Sequence, residues 1–293
     1  MAFPTPPQSP SSNRSTSREG SVFGSPRGPV RLVSKLGRGS FGSVYKGMMK
    51  DGTKCAVKVV SYDSCMDAFD FEHEAEILEE LQRNSKRLRN EHIVDFDGSG
   101  CEEDKVGLFF FPLADHGSLE EYVRNVGGRL DGAQSRRLLY QLNDGLAYIH
   151  SIGIYHRDIK PANVLMVSDR QLQIADFGRS VIERSGNVPI LTDSKGTRPF
   201  HPPEAFTGKG FKADDGDLWA AVITYITISC GSIPWKLATL DDPQFSAFQQ
   251  RDFCTFWTPL EDYIHDIIQH LKINASERTK NEIYCEKLRY YRQ

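Results

Sequence analysis

Two short stretches carry side chains suited to chemistry: His156-Arg157-Asp158-Ile159-Lys160-Pro161-Ala162-Asn163 and, further on, Asp176-Phe177-Gly178. Asp158 is a carboxylate able to accept a proton, while Asn163 and Asp176 offer the oxygen donors that magnesium prefers. Held on neighbouring loops, this set suits transfer of a phosphoryl group from a metal-bound nucleoside triphosphate to a hydroxyl. Each residue alone reads more plainly as a turn cap, but their joint spacing argues against that.

A second constellation lies upstream. Gly37-Arg38-Gly39-Ser40-Phe41-Gly42-Ser43-Val44 is a glycine string of a kind also used for dinucleotides. Here a strand pattern follows rather than a helix, so the string reads as a flap over phosphates. Lys58 ends the apolar run Cys55-Ala56-Val57-Lys58, where an inward ammonium is costly unless paired. Glu74, on the apolar face of the next helix, is its expected partner.

Several elements must position these groups. Residues 30–36, 43–48 and 54–60 are rich in strand formers and separated by glycine-containing turns. Residues 67–82 have a helical period, with Phe71, Glu74, Ala75, Leu78 and Leu81 on one face. Apolar stretches at 92–96 and 106–111 follow, and then Leu138, Leu142, Leu146 and Ile149 mark an amphipathic helix before the Asp158 loop. A sheet-rich first part and a helical second part meet near residue 112. Residues 1–29, dominated by Ser, Pro, Arg and Gly, are expected to be a disordered tail. That tail holds Thr5-Pro6, Ser9-Pro10 and Ser25-Pro26, whose hydroxyls are candidate proline-directed phosphorylation sites.

The 293 residues are 39% hydrophobic, with a net charge of −3 and a pI near 6.3, so nucleic acid is not the expected partner. Six scattered cysteines without a C-x-x-C pair read as free thiols in a reducing compartment, giving cytoplasm and/or nucleus as the expected location. No apolar run is long enough to be a membrane segment. Oligomeric state is left open.

Together these motifs resemble the eukaryotic protein kinase family, serine/threonine type, from residue 30 to the C-terminus. The resemblance implies an α+β fold, the bilobal protein kinase fold with a β-rich N-lobe (30–111), a hinge (112–115) and a mainly helical C-lobe (116–293). It implies ATP and Mg²⁺ as cofactors, with Mn²⁺ as an alternative, and a protein substrate. Leu36, the glycine string Gly37 to Gly42, Val44, Ala56 and Leu165 would surround the nucleotide, and Lys58 would hold its phosphates. Phe111 resembles the gatekeeper. Pro112 would offer only its carbonyl to adenine, and Ala114 its N–H.

Asp158 would orient the acceptor hydroxyl, Lys160 would neutralise the moving phosphate, and Asn163 and Asp176 would bind metal. Lys160 followed by Pro161 resembles the serine/threonine branch. Glu204, in Pro202-Pro203-Glu204, would pair with Arg278, and Asp217 would anchor the catalytic-loop backbone. Thr197 and the nearby Thr192, Asp193 and Ser194 fall in the regulatory loop, where Asp193 is a candidate phosphate mimic facing Arg157. Ser118 and Ala162 are neutral where arginine-directed relatives are acidic, leaving Asp115, Glu120 and Glu121 as a weaker acidic rim. Val222 replaces a family glycine. Two other readings stay open: a kinase-like scaffold, although every catalytic residue is present, and a small-molecule kinase, which generally lacks the Pro-Glu segment and late arginine.

Overall fold

A computed structural model describes residues 18–39, 42–62, 64–102, 105–193 and 195–250, apart from the Cys65 side chain. Ser40, Phe41, Ser194 and Arg278 lie outside the described residues, as do Thr5 and Ser9. The chain divides into two compact units, 1–71 with 96–113, and 72–95 with 114–293. Among the described residues no helix is long and apolar enough to cross a membrane.

The first unit is a six-stranded antiparallel sheet. Its strands are β1 (Val22–Phe23), β2 (Val30–Gly39), β3 (Gly42–Met49), β4 (Lys54–Ser61), β5 (Gly98–Glu102) and β6 (Val106–Pro112), in the order β1-β2-β3-β4-β6-β5. Period-two patterning buries Val30, Leu32, Tyr45, Cys55, Val57, Val59, Leu108 and Phe110 on one face as the unit's core. Gly39 pairs with Gly42 at the β2–β3 end, so the glycine string is a hairpin between strands, as its context implied. An added Cβ on Gly47 would collide with Val30 and Cys55, which accounts for glycine at the centre of β3. Helix α1 (Cys65–Ser85) starts in this unit, where the Phe71 ring packs 4.6 Å from that of Phe109.

The chain is ordered earlier than residue 30. From Arg18 it runs beside β2, with Gly20 N–H donating to Leu32 O at 2.8 Å and Leu32 N–H to Ser21 O at 2.9 Å. β1 then pairs with the start of β2, Phe23 packs on the core cluster, and Arg27 forms an ion pair with Asp97. Residues 18–29, expected in the disordered tail, are thus laid against the sheet. Composition misled because a few long-range contacts, rather than local apolar content, order this stretch.

The second unit holds the rest of α1, then α2 (Leu119–Asn125), α3 (Gly132–Ser151), three two-stranded ribbons, α4 (Ala213–Cys230) and α5 (Pro243–Gln249). The ribbons pair β7 (Ile154–Tyr155) with β10 (Val181–Ile182), β8 (Val164–Ser168) with β9 (Gln171–Ile174), and β11 (Ile190–Leu191) with β12 (Phe211–Lys212). Residues 72–95 belong here rather than to a contiguous N-lobe, because Ile93 bridges Ile174 and Val94 N–H donates to Ile174 O at 3.0 Å. α3 buries the expected Leu138, Leu142, Leu146 and Ile149. α4 is buried almost throughout, Val222 included, and its Thr227 and Ser229 hydroxyls donate to carbonyls one turn back. α2 begins with a capping box in which Glu121 accepts from Ser118 N–H, so one carboxylate of the expected acidic rim is spent on a helix end.

Candidate active site

The second unit places the sequence-predicted residues by two devices. The first is the β8–β9 hairpin. Val164 faces Ile174, and Ala175 N–H donates to Asn163 O at 2.9 Å, so Asn163 and Asp176 flank the hairpin's open end. Asp176 adopts a left-handed backbone (φ 61°), which is costly for a residue with a Cβ, and the fully buried Phe177 follows it.

The second device is Asp217 on α4. Its buried carboxylate accepts from His156 N–H at 2.8 Å and Arg157 N–H at 2.7 Å, and binds His150 Nε2 at 2.8 Å. Burial alone would raise its pKa, but the hydrogen bond and charge of His150, joined by the Arg157 N–H, outweigh it and hold the carboxyl below its ordinary value. The clamp fixes Arg157 in a left-handed conformation (φ 68°) and turns the loop so that Asp158 follows. His156 is held from its ring as well. Nε2 lies 2.9 Å from Ala175 O, which can only accept, so Nε2 carries the proton and Nδ1 accepts from Asp158 N–H.

Around Asp158 the side chains close into a network. Lys160 Nζ donates to Asp158 Oδ2 at 2.8 Å and to Thr197 Oγ1 at 2.7 Å, and Thr197 Oγ1 donates to Asp158 Oδ1 at 2.7 Å. Asn163 Nδ2 donates to Asp158 O at 2.8 Å and to Oδ2 at 2.9 Å. Thr197 was expected among regulatory residues, yet its hydroxyl belongs to the chemical cluster. Arg157 and Asp193 do meet in an ion pair, with Asp193 also accepting from Lys195 N–H at 3.2 Å. Burial disfavours the Asp193 charge, but the hydrogen bond and charge of Arg157 hold its pKa below normal.

Sequence reasoning missed His201. It is 5% exposed, its two ring nitrogens lack a well-formed hydrogen bond among the described residues, and burial pushes its pKa down. A Cβ on Gly196 (φ 113°) would stand 2.8 Å from His201 Nε2 and 2.6 Å from Arg157 O, so only glycine fits that turn. Thr197 and His201 line a cavity of about 20 Å³, too small for anything larger than a water. The signal in the chain was a histidine inside the otherwise apolar Phe200–Pro203 stretch.

In the first unit Lys58 sits on β4, 8% exposed, with Nζ 5.8 Å from the centroid of the Phe109 ring. Ala56 pairs with Phe111 and Val44 with Lys58, while Leu36, Gly37 and Arg38 run along β2 to the hairpin end. Pro112 is the last residue of β6, which pairs with Cys55. In the second unit Glu74 is 3% exposed on α1, Ala114 begins the segment before α2, and Leu165 lies on β8. Glu204 is half-buried and Thr192 is exposed.

A family profile described as the protein kinase domain matches residues 30–285. The chain belongs to the protein kinase family. This kinase domain is 31% identical over 216 residues to a probable receptor-like protein kinase from Arabidopsis thaliana, covering 71% of this chain and 34% of the relative. It is 30% identical over 228 residues to a CBL-interacting protein kinase from Oryza sativa, covering 77% of this chain and 48% of the relative. A serine/threonine-protein kinase from Drosophila melanogaster is 28% identical over 230 residues, covering 78% and 43%. The chain thus spans about a third to a half of the length of these relatives.

Among the described residues no group of three or more His, Cys, Asp or Glu is placed to hold a metal. Asn163 spends its amide nitrogen on Asp158, which leaves its carbonyl oxygen, and Asp176 adds a carboxylate; two oxygen donors fit a cation bound mainly through nucleotide phosphates.

Proposed function

We propose that this chain is an ATP-dependent protein serine/threonine kinase, transferring the γ-phosphoryl of Mg-ATP to a hydroxyl of a protein. The observation that carries this reading is the Asp158–Lys160–Thr197 network, which offers a held carboxylate beside a held ammonium.

Asp158 would orient the acceptor hydroxyl and take its proton, with Asn163 and Thr197 fixing the carboxylate. Lys160 would swing from Asp158 Oδ2 toward the transferring phosphoryl, placing positive charge where negative charge spreads. Asn163 and Asp176 would hold the cation, and Lys58 and Glu74 keep the roles the resemblance implies on the nucleotide side. Bound with ATP, Mg²⁺ supplies charge neutralisation at the phosphates. Most of the rate enhancement would then come from positioning and charge stabilisation.

Incubation of the purified chain with labelled ATP and a mixed protein extract tests the proposal. Phosphoserine and phosphothreonine on proteins are expected, lost with Asp158→Asn and Asp176→Ala. Label confined to small metabolites, or equal labelling by the variants, overturns it.

A further inference from the structure

We propose that Ser25 is a phosphorylation site, modified by a separate proline-directed protein kinase, and that a phosphate there unlatches the segment 18–29 from the first unit's sheet. The segment acts as a strap. β1 extends one edge of the sheet beside β2, while the turn after it reaches the opposite edge at β5. There a Cβ on Gly98 would stand 2.6 Å from Pro26 Cγ, so proline packs directly on the glycine, and Arg27 pairs with Asp97. The strap therefore ties the two edges of the curled sheet together, and Phe23 covers its core cluster.

Ser25 is the pin of the turn. Its Oγ donates to Gly28 O at 2.6 Å and accepts from Arg27 N–H at 3.3 Å, and its backbone exchanges two bonds with Gly28 at 2.9 and 3.2 Å. The residue is half-buried, and the neighbouring Pro26 and Arg27 are exposed, so an acceptor site stands at the surface. In modification, Ser25 Oγ attacks the γ-phosphorus of ATP held by the other kinase, the bond to ADP breaks, and the hydroxyl proton passes to that kinase's base.

The sign of the effect follows from the geometry. A phosphorylated Oγ has no proton to give Gly28 O, and a charge of about −1.5 to −2 then faces a carbonyl at what was hydrogen-bond distance. The same charge competes for Arg27, whose present partner Asp97 has a side chain only 6% exposed. Repulsion from that carboxylate opposes closure of the turn over Gly98. The strap opens, and both edges of the sheet lose their tie.

Treatment of the full chain with a purified proline-directed kinase and ATP, followed by mass mapping and hydrogen exchange, tests this. The expected result is phosphate on Ser25 and exchange of the residue 20–32 amides faster by about tenfold or more, with Ser25→Ala giving a much smaller increase. Phosphate only at Thr5 or Ser9 overturns the proposal. So does phosphate at Ser25 with unchanged or slower exchange, or loosening by Ser25→Ala as large as that by phosphate.

Discussion

Thr197 donates its hydroxyl proton to Asp158 Oδ1 at 2.7 Å while accepting from Lys160 on the same oxygen. One hydroxyl thus links the proposed proton acceptor to the proposed charge stabiliser, on a turn that only Gly196 can make. Replacing Thr197 by Ala frees both partners to choose other rotamers. Thr197→Ala is expected to lower kcat by about tenfold to a hundredfold with a smaller change in KM, and Thr197→Ser to restore most of it. Steady-state kinetics on a protein substrate check this. A fall in KM alone, or failure of serine to rescue, would assign Thr197 to folding rather than to the network.

The Arg157–Asp193 ion pair predicts activity without loop phosphorylation. A carboxyl whose folded pKa is depressed stabilises its pair at every pH above the unfolded value, 3.8, and the pair weakens only as pH falls through the folded value below that. A phosphate would instead change charge near pH ~6. Phosphatase-treated protein is therefore expected to keep its activity, and Asp193→Ala to lose about tenfold, with no inflection near that pH arising from Asp193. Complete loss on phosphatase treatment would shift the role to phosphorylation at Thr192 or Ser194.

His201 predicts an acid-sensitive stability. Burial lowers its pKa from 6.5; the positive charges of Arg157 and Arg198 add to this, while Asp158 and the Lys195 backbone oppose it. Below the unfolded value the unfolded chain takes up a proton more readily than the folded one. Stability contributed by neutral His201 is thus present above about pH 7 and declines as pH falls through 6.5. His201→Met removes two buried, poorly satisfied ring nitrogens and this proton linkage. Thermal melts should show the variant gaining about 3 °C or more near pH ~5.5 and distinctly less near pH ~8. A difference independent of pH would remove the titration from the account.

That Asp158, Lys160 and Asn163 share one loop, with Asp176 at the end of the adjoining hairpin, could be read from local spacing, and the helix around Phe71 and Leu78 from a local apolar period. The strap was not, since it depends on pairs far apart in sequence, Arg27 with Asp97 and Pro26 with Gly98, in a stretch whose own composition says disorder. The contacts of Thr197 with Asp158 and Lys160 could not be read from the chain, because a hydroxyl's partner is set by the fold. His201 needed the close approach of Gly196 to become unusual at all.

Asp217 sets the geometry of the loop rather than its chemistry. Its Oδ1 accepts from Arg157 N–H, and its Oδ2 accepts from His156 N–H and contacts His150 Nε2. Asparagine keeps the shape but must point an N–H₂ at one of these donor sets, so a buried donor faces a donor. Asp217→Asn is expected to cost about 3 kcal/mol of stability and to lower activity further than that loss explains, because the left-handed turn at Arg157 relaxes. The carboxyl's depressed pKa means its contribution is complete above about pH 5 and is lost only as pH falls through the folded value, below 3.8. The difference in unfolding free energy between parent and variant should therefore be constant from about pH 6 to 8 and shrink in acid. Denaturant titrations at several pH values measure it, and a difference that grows in acid would contradict the clamp.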